Sequence, residues 1–320
     1  MKKSILTSLL FLFSLFSFGQ KRHNVYFLKD NGEHVKTKDS ADFIRIVWEP
    51  DSGSVLYNVQ EFYKNNNLKR LGTSSSIDPL RMEGQCASYY PNAVRHVVTT
   101  YKNDRLAGAY YEYFPSGKLF CIKQYAERKT ETSAENYKII SVLDSSGNTI
   151  VTDGNGYYKG YDKDYKTITE EGGVKNGERD GQWKGKDLGL KLTFEETYQD
   201  GKLLSGSYKD SSGNTAHYTQ RFKEPEFPGG VEKLYAFLGR EIVYPVYARE
   251  HNIEGTVILS FIVEKNGKIE KIKVLSPVYD EIDQEAIRVL KRATNWTPGL
   301  AYGIPVRVSY TLPVKFALTP

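Results

Sequence analysis

Two acidic pairs are the first candidates for chemistry, Asp162-Lys163-Asp164 and Glu170-Glu171. Carboxylates this close can hold a cation. Each pair stands alone among polar residues, however, and a solvated turn accounts for both. The five histidines, His23, His34, His96, His217 and His251, share no spacing that would make a ligand set. No Gly-x-Ser-x-Gly elbow, phosphate loop or His-Glu-x-x-His pattern occurs. The expectation is a protein that is not an enzyme, with no catalytic residue, no cofactor and no metal.

What remains is the chemistry of exposed backbone. Near the C-terminus, Val306, Val308, Tyr310, Leu312, Val314 and Phe316 fall on one face of an alternating run. Arg307, Ser309, Thr311, Pro313 and Lys315 fall on the other. This is the pattern of a half-buried strand. Pro313 cannot donate to a ladder, which argues for an edge strand or a bulge. An edge strand offers N–H and C=O groups to a partner peptide that adds as a further strand.

Other elements must hold that strand. Val231, Leu234, Tyr235 and Leu238 are spaced for one face of a short helix, with Gly229-Gly230 before it and Gly239 as its stop. Tyr244-Pro245 fixes an extended dipeptide. Gly255 opens a strand in which Val257, Leu259, Phe261 and Val263 alternate with more exposed positions. Asn266-Gly267 turns it, and Lys268 to Leu275 returns. Ile282, Ala286, Val289, Leu290 and Ala293 stripe a second helix, capped near Asp280 and ended by Trp296-Thr297-Pro298-Gly299.

These pieces occur in a telling order: Glu226-Phe227-Pro228-Gly229-Gly230, Tyr244-Pro245, Gly255 to Phe261, Asn266-Gly267-Lys268, Ile282 to Ala286, Asn295 to Gly299, Gly303 to Val308 and Leu312 to Phe316. The series resembles the C-terminal domain of the TonB family, energy transducers of the bacterial envelope. The resemblance implies an α+β fold over 224–320, a two-layer sandwich on a three-stranded antiparallel sheet. It implies docking of the TonB box of an outer-membrane TonB-dependent receptor by strand addition. It also implies a partner-binding set: Tyr244 and Pro245 near the box, and Val306, Arg307, Val308, Ser309, Tyr310, Thr311 and Leu312 on the pairing strand. Trp296 and Phe316 read as core. Enterobacterial members carry Gln before Tyr-Pro, where this chain has Val243. The family transducer also carries an uncleaved membrane helix and a Pro-rich spacer, whereas the 12 prolines here are scattered.

Upstream, Tyr101 to Tyr110 and Val174 to Trp183 share one spacing, an apolar residue, a polar turn, a glycine, then an aromatic two on, and Tyr198 to Tyr208 repeats it with one residue inserted. Asp104 replaces the turn glycine, and the register lapses over Ala126 to Asn136 and Tyr157 to Thr167. Asn-Gly and Asp-Gly suit tight hairpins. Eighteen of the 24 tyrosines lie in 20–223, which suits stacked aromatic strands. The units resemble MORN-type repeats, so 20–223 is expected to be a β-hairpin repeat sheet. Residues 21–54 read as a lead-in cap containing the strand Ile44 to Trp48.

The front end addresses the chain. Lys2-Lys3, the apolar run Ile5 to Phe18 and Ser17-Phe18-Gly19 make a signal peptide over 1–19, cut before Gln20, with export to the periplasm. The run would span about 21 Å as a helix, short of the roughly 30 Å of a bilayer core. The alternative is an uncleaved anchor in the inner membrane, where motor proteins become partners. The formal charge of +5 falls to +3 without Lys2 and Lys3, and 224–320 holds 12 basic and 12 acidic residues, so no basic face invites nucleic acid. Cys86 and Cys121 leave two alternatives, a disulfide or two free buried thiols. A homodimer stays open. A second functional reading makes the chain an envelope scaffold whose repeat sheet is the recognition surface.

Overall fold

A computed structural model of the chain describes residues 21–126 and 137–318. The expected signal peptide lies outside the described residues, as does most of the lapse at Ala126 to Asn136. The described residues form two compact units that divide between Ala93 and Val94.

The first unit is antiparallel sheet. Its strands are β1 (His23–Leu28), β2 (His34–Val35), β3 (Phe43–Trp48), β4 (Tyr57–Tyr63), β5 (Leu68–Ser74) and β6 (Met82–Tyr89). β1 lies between β2 and β3, and β3 to β6 follow in chain order. Leu28, Phe43, Val47 and Val59 face inward. Glu61 is buried among them and accepts from Arg45 Nε at 2.9 Å, with Arg70 Nε at 3.5 Å.

The second unit opens with an antiparallel meander of β7 (Arg95–Lys102), β8 (Arg105–Tyr113), β9 (Leu119–Tyr125), β10 (Tyr137–Leu143), β11 (Thr149–Thr152) and β12 (Asn155–Tyr161). It continues through β13 (Ile168–Lys175), β14 (Glu178–Asp187), β15 (Leu192–Gln199), β16 (Lys202–Asp210) and β17 (Thr215–Tyr218). Each strand pairs with the next. Tyr157 to Thr167, where the sequence repeat lapses, still supplies β12 and its return loop.

Tight turns close one end of this meander. Asn103-Asp104, Asp153-Gly154, Asn176-Gly177 and Asp200-Gly201 all take positive φ at both residues, the geometry of two-residue hairpins. Asp104 adopts φ 63 although it lacks glycine's freedom. The turns bond to one another or to neighbouring strands: Gly177 N–H donates to Gly154 O at 2.8 Å, and Gly201 N–H to Arg179 O at 2.9 Å.

Glycines and aromatic residues meet across strands, and of the repeat glycines only Gly206 takes part, since Gly108 and Gly181 have open space at Cβ. Gly172 pairs with Trp183, Gly185 with Phe194 and Gly206 with Tyr218. Each ring folds over its glycine so closely that an added Cβ would lie 2.3 or 2.4 Å from the ring. Tyr158 and Trp183 stack at 5.7 Å, and Tyr198 meets Trp183 edge-on at 6.2 Å.

The chain then forms β18 (Phe222–Lys223), α1 (Gly230–Glu241), α2 (Val246–Glu250), β19 (Gly255–Val263), β20 (Ile269–Ser276) and α3 (Asp280–Arg292). It ends with β21 (Gly299–Ala301), β22 (Ile304–Val306) and β23 (Val308–Phe316). One three-stranded antiparallel sheet has the order β20-β19-β23; a small second sheet has the order β18-β21-β22. All five residues of the predicted α3 stripe are fully buried, against Val257, Leu259, Phe261 and Val263 of β19. Trp296 and Phe316 join this core.

Three local expectations need correction. α1 runs through Gly239 instead of stopping there, because glycine inside a helix costs only about 1 kcal/mol and Leu238 is buried. Of its predicted face, Leu234 and Leu238 are buried but Val231 and Tyr235 are exposed, at 55% and 47%; Phe237 packs inward in their place. α3 has no side-chain cap from Asp280. Instead Asp283 accepts the Val278 N–H at 3.0 Å.

Replacing Gly172 by Ala forces a methyl into the Trp183 indole. We expect Gly172→Ala to destabilise the protein by about 1–3 kcal/mol, the range for overpacking, read as a lowered urea midpoint. Gln182→Ala, on the exposed side of β14, should shift it by less than about 0.5 kcal/mol.

Candidate docking edge

β23 pairs with β19 along one side. Its register with β19 runs from Gly255↔Phe316 to Val263↔Val308 without a shift. Among the described residues no strand lies against its other side. Leu312, Val314 and Phe316 are buried, Val308 and Tyr310 half-buried, and Ser309, Thr311, Pro313 and Lys315 exposed.

Pro313 sets the polarity of the edge. It sits opposite Ile258 in the unbroken ladder, so the N–H it lacks belongs to the open side. In an antiparallel strand every second residue turns both its N–H and C=O the same way. Ser309 and Thr311 therefore present theirs to the open edge. Pro313 ends the usable row.

Beside that end is a groove of about 390 Å³, lined by Tyr235, Leu238 and Ile242 from the α1 side and by Thr256, Pro313 and Lys315 from the sheet. Its apolar wall includes the exposed Tyr235. The sequence pattern placed Tyr235 on the core face and so did not reveal this wall.

The expected pairing strand Val306 to Phe316 is interrupted. Val306 belongs to β22, which pairs with β21 in the other small sheet, and Arg307 lies between the two strands. Arg307 is held by Glu264 at 2.7 and 2.8 Å. Alternation in sequence continues through the switch, which is why it read as one strand. Val308, Ser309, Tyr310, Thr311 and Leu312 are on β23 as expected.

Residues 240–318 match the family model described as Gram-negative bacterial TonB protein C-terminal. Two solution structures of the Helicobacter pylori TonB-CTD are also similar. Each is 24% identical to this chain; they cover 27% and 29% of it and 90% of their own length, with TM-scores of 0.22 and 0.23. No curated protein matches.

Within this TonB-like domain, Tyr244 and Pro245 sit at the far end of β23 from Val308. The Tyr244 hydroxyl donates to Ile253 O at 2.7 Å, and its ring meets Phe316 edge-on at 5.8 Å. Pro245 precedes the first turn of α2. Val243 turns its side chain to solvent, 67% exposed, while its N–H donates to Glu285 Oε1 at 2.6 Å. Burial raises the Glu285 carboxyl, but the Arg288 bond and the Val243 N–H outweigh it and hold it below the usual carboxylate range. The structure thus brings Tyr244 to Phe316, and brings neither Tyr244 nor Pro245 to Ser309 and Thr311.

Of the acidic pairs, Asp162 forms the expected turn, its Oδ1 accepting from Lys166 and Thr167 N–H. Glu170-Glu171 is not a turn. Both lie on β13, where Glu171 pairs with Lys184 at 3.2 Å. Glu170 points inward and accepts from Arg179 Nη2 at 2.9 and 3.0 Å and from Arg221 Nη1 at 3.0 Å. Arg221 Nε also donates to the buried Glu196 at 3.0 Å. Cys86 and Cys121 are both free and buried, the second of the two alternatives. Cys121 Sγ lies 3.6 Å from Glu112 Oε2, and burial pushes its thiol up to about 12.

Burial pushes the Glu170 carboxyl up, but the two arginines outweigh it and bring it down to about 2. A depressed carboxylate stabilises the fold above its unfolded value and loses that contribution as pH falls through the folded one. Unfolding temperature should therefore drop between about pH 4.5 and 2. Glu170→Gln should lower it at pH 7 and flatten the acid slope, which thermal scans across that range would reveal.

Proposed function

We propose that residues 224–320 bind an extended peptide of an outer-membrane TonB-dependent receptor by strand addition to β23, as a non-enzymatic component of energised transport at the envelope. The observation that carries this reading is the open side of β23, where Ser309 and Thr311 can bond to an added strand. The match to the TonB C-terminal family supplies the class of partner. Main-chain bonds would give affinity, and the groove beside Tyr235 and Ile242 would take an apolar side chain of the peptide. Tyr244 and Pro245 would act indirectly, by bracing Phe316. Among the described residues no helix is long and apolar enough to cross a membrane, and the first 20 residues lie outside that set. In this reading the hairpin meander, MORN-like in its repeats, serves as the rigid body that carries the docking domain.

Thr311→Pro gives the sharpest test. It removes an N–H from the open edge at a position equivalent to native Pro313, sparing the β19 ladder. Titrating the full chain with synthetic TonB-box peptides should show binding that weakens at least tenfold in Thr311→Pro, with the unfolding midpoint little changed. Absence of binding at millimolar peptide would remove the proposal.

A further inference from the structure

The small hairpin β21–β22 is held by the meander. Tyr302, at its tip, is 8% exposed. Its N–H donates to Arg221 O at 2.7 Å. Its ring stacks on Phe194 at 5.3 Å and meets Tyr218 edge-on at 5.6 Å. The Arg221 guanidinium lies 4.6 Å from the Phe194 ring and 5.7 Å from that of Tyr302. On the hairpin's other side, Phe222 pairs with Ala301 and Lys223 with Leu300.

One residue, Arg307, separates this hairpin from β23. Val308 also packs over the hairpin: a Cβ on Gly299 would lie 2.5 Å from Val308 Cγ2. The position matters because the two halves of β23 are secured differently. Leu312, Val314 and Phe316 anchor the C-terminal half in the core at 2% exposure each. The half bearing the open-edge groups of Ser309 and Thr311 has the half-buried Val308 and Tyr310 beneath it, and of these only Tyr310 meets core rings, Phe261 at 5.5 Å and Trp296 at 5.3 Å.

We infer that Tyr302 and Arg221 are positioning residues for the docking edge, a latch by which the end of the meander fixes the N-terminal half of β23. The consequence for peptide binding rests on the strand-addition reading; the consequence for the strand itself does not. A fragment cut at residue 224 would lack Arg221 and dock peptide on a looser edge.

The test uses the full chain in three forms: wild type, Tyr302→Ala and Tyr302→Phe. Amide hydrogen exchange is measured without peptide, and peptide affinity separately. Tyr302→Ala should speed exchange of the Val308 and Tyr310 amides, which face β19, about tenfold, the worth of a lost aromatic pair, and leave the bonded amides of α3 and of the C-terminal half of β23 unchanged. Peptide affinity should fall by a similar factor. Tyr302→Phe keeps the ring and should restore both. Arg221→Lys keeps the charge but loses the planar stack and should shift both readouts the same way, which covers the case that Tyr302→Ala does not fold. Unchanged exchange at Val308 and Tyr310 in Tyr302→Ala and Arg221→Lys, or a uniform rise across the domain, overturns the latch. If the wild type binds no peptide, the strand-addition reading falls while the exchange data still decide the latch.

Discussion

A guanidinium drawn out of water must be met by carboxylates, and those carboxylates must be met in turn. Arg221 has Glu170 from β13 and Glu196 from β15. Glu170 is shared with Arg179 of β14. Glu196 also accepts the hydroxyls of Tyr198 and Tyr218, at 3.1 and 2.8 Å. Strands that are not neighbours in the meander therefore converge on one charge network. Its geometry is satisfied only when those strands, their rings and the start of β18 are all in place. Pairs of this kind add little net stability against an apolar substitute, but removing one partner strands a buried charge. The network thus makes the meander's end and the entry to the TonB-like domain assemble together.

The apolar core of the TonB-like domain works differently. It is a continuous contact of α3 with β19 and the second half of β23, with Trp296 and Phe261 edge-on at 5.4 Å. Gly267 completes it. The β19–β20 turn runs so close to the Trp296 carbonyl that a Cβ there would lie 2.0 Å away. This core fixes the C-terminal half of the strand and reaches Tyr310 through Phe261 and Trp296, and the inferred latch of Tyr302 and Arg221 acts at the other end.

Much of this could be read from the chain. The stripe of α3, the alternation of β19 and β23 and the edge character announced by Pro313 are periodic signals, and burial follows periodicity. The failures have a shared cause. Val306 and Val308 keep one alternation although the chain changes sheets between them, because period two carries no information about partners. Val231 and Tyr235 fit a helical face, but a helix at the rim buries only the part of its face that meets something. Glu170 looked solvated because its partners Arg179 and Arg221 lie 9 and 51 positions away. The repeat was visible as Gly followed by an aromatic along one strand. The ring contact of its tryptophan runs across strands instead, Trp183 folding over Gly172, which lies outside the repeat.

The two ends of the meander differ in how their loops are satisfied. At the tight-turn end, the backbone groups of one turn are spent on the next, as between Gly154 and Gly177. At the opposite end, the identical loops Asp144-Ser-Ser-Gly-Asn148 and Asp210-Ser-Ser-Gly-Asn214 are organised by their own aspartates, with Lys118 Nζ also donating to Ser145 O and Ser146 O of the first. Each aspartate accepts backbone N–H groups of its own loop and the amide of its own asparagine. The first kind of turn cannot change length without disturbing its neighbours' backbone, whereas the second is tied to its neighbours at most through a side chain, Lys118. A lineage could therefore graft new segments at the aspartate-loop rim while the glycine-turn rim stayed invariant in length, giving the sheet one conservative margin and one free to diversify.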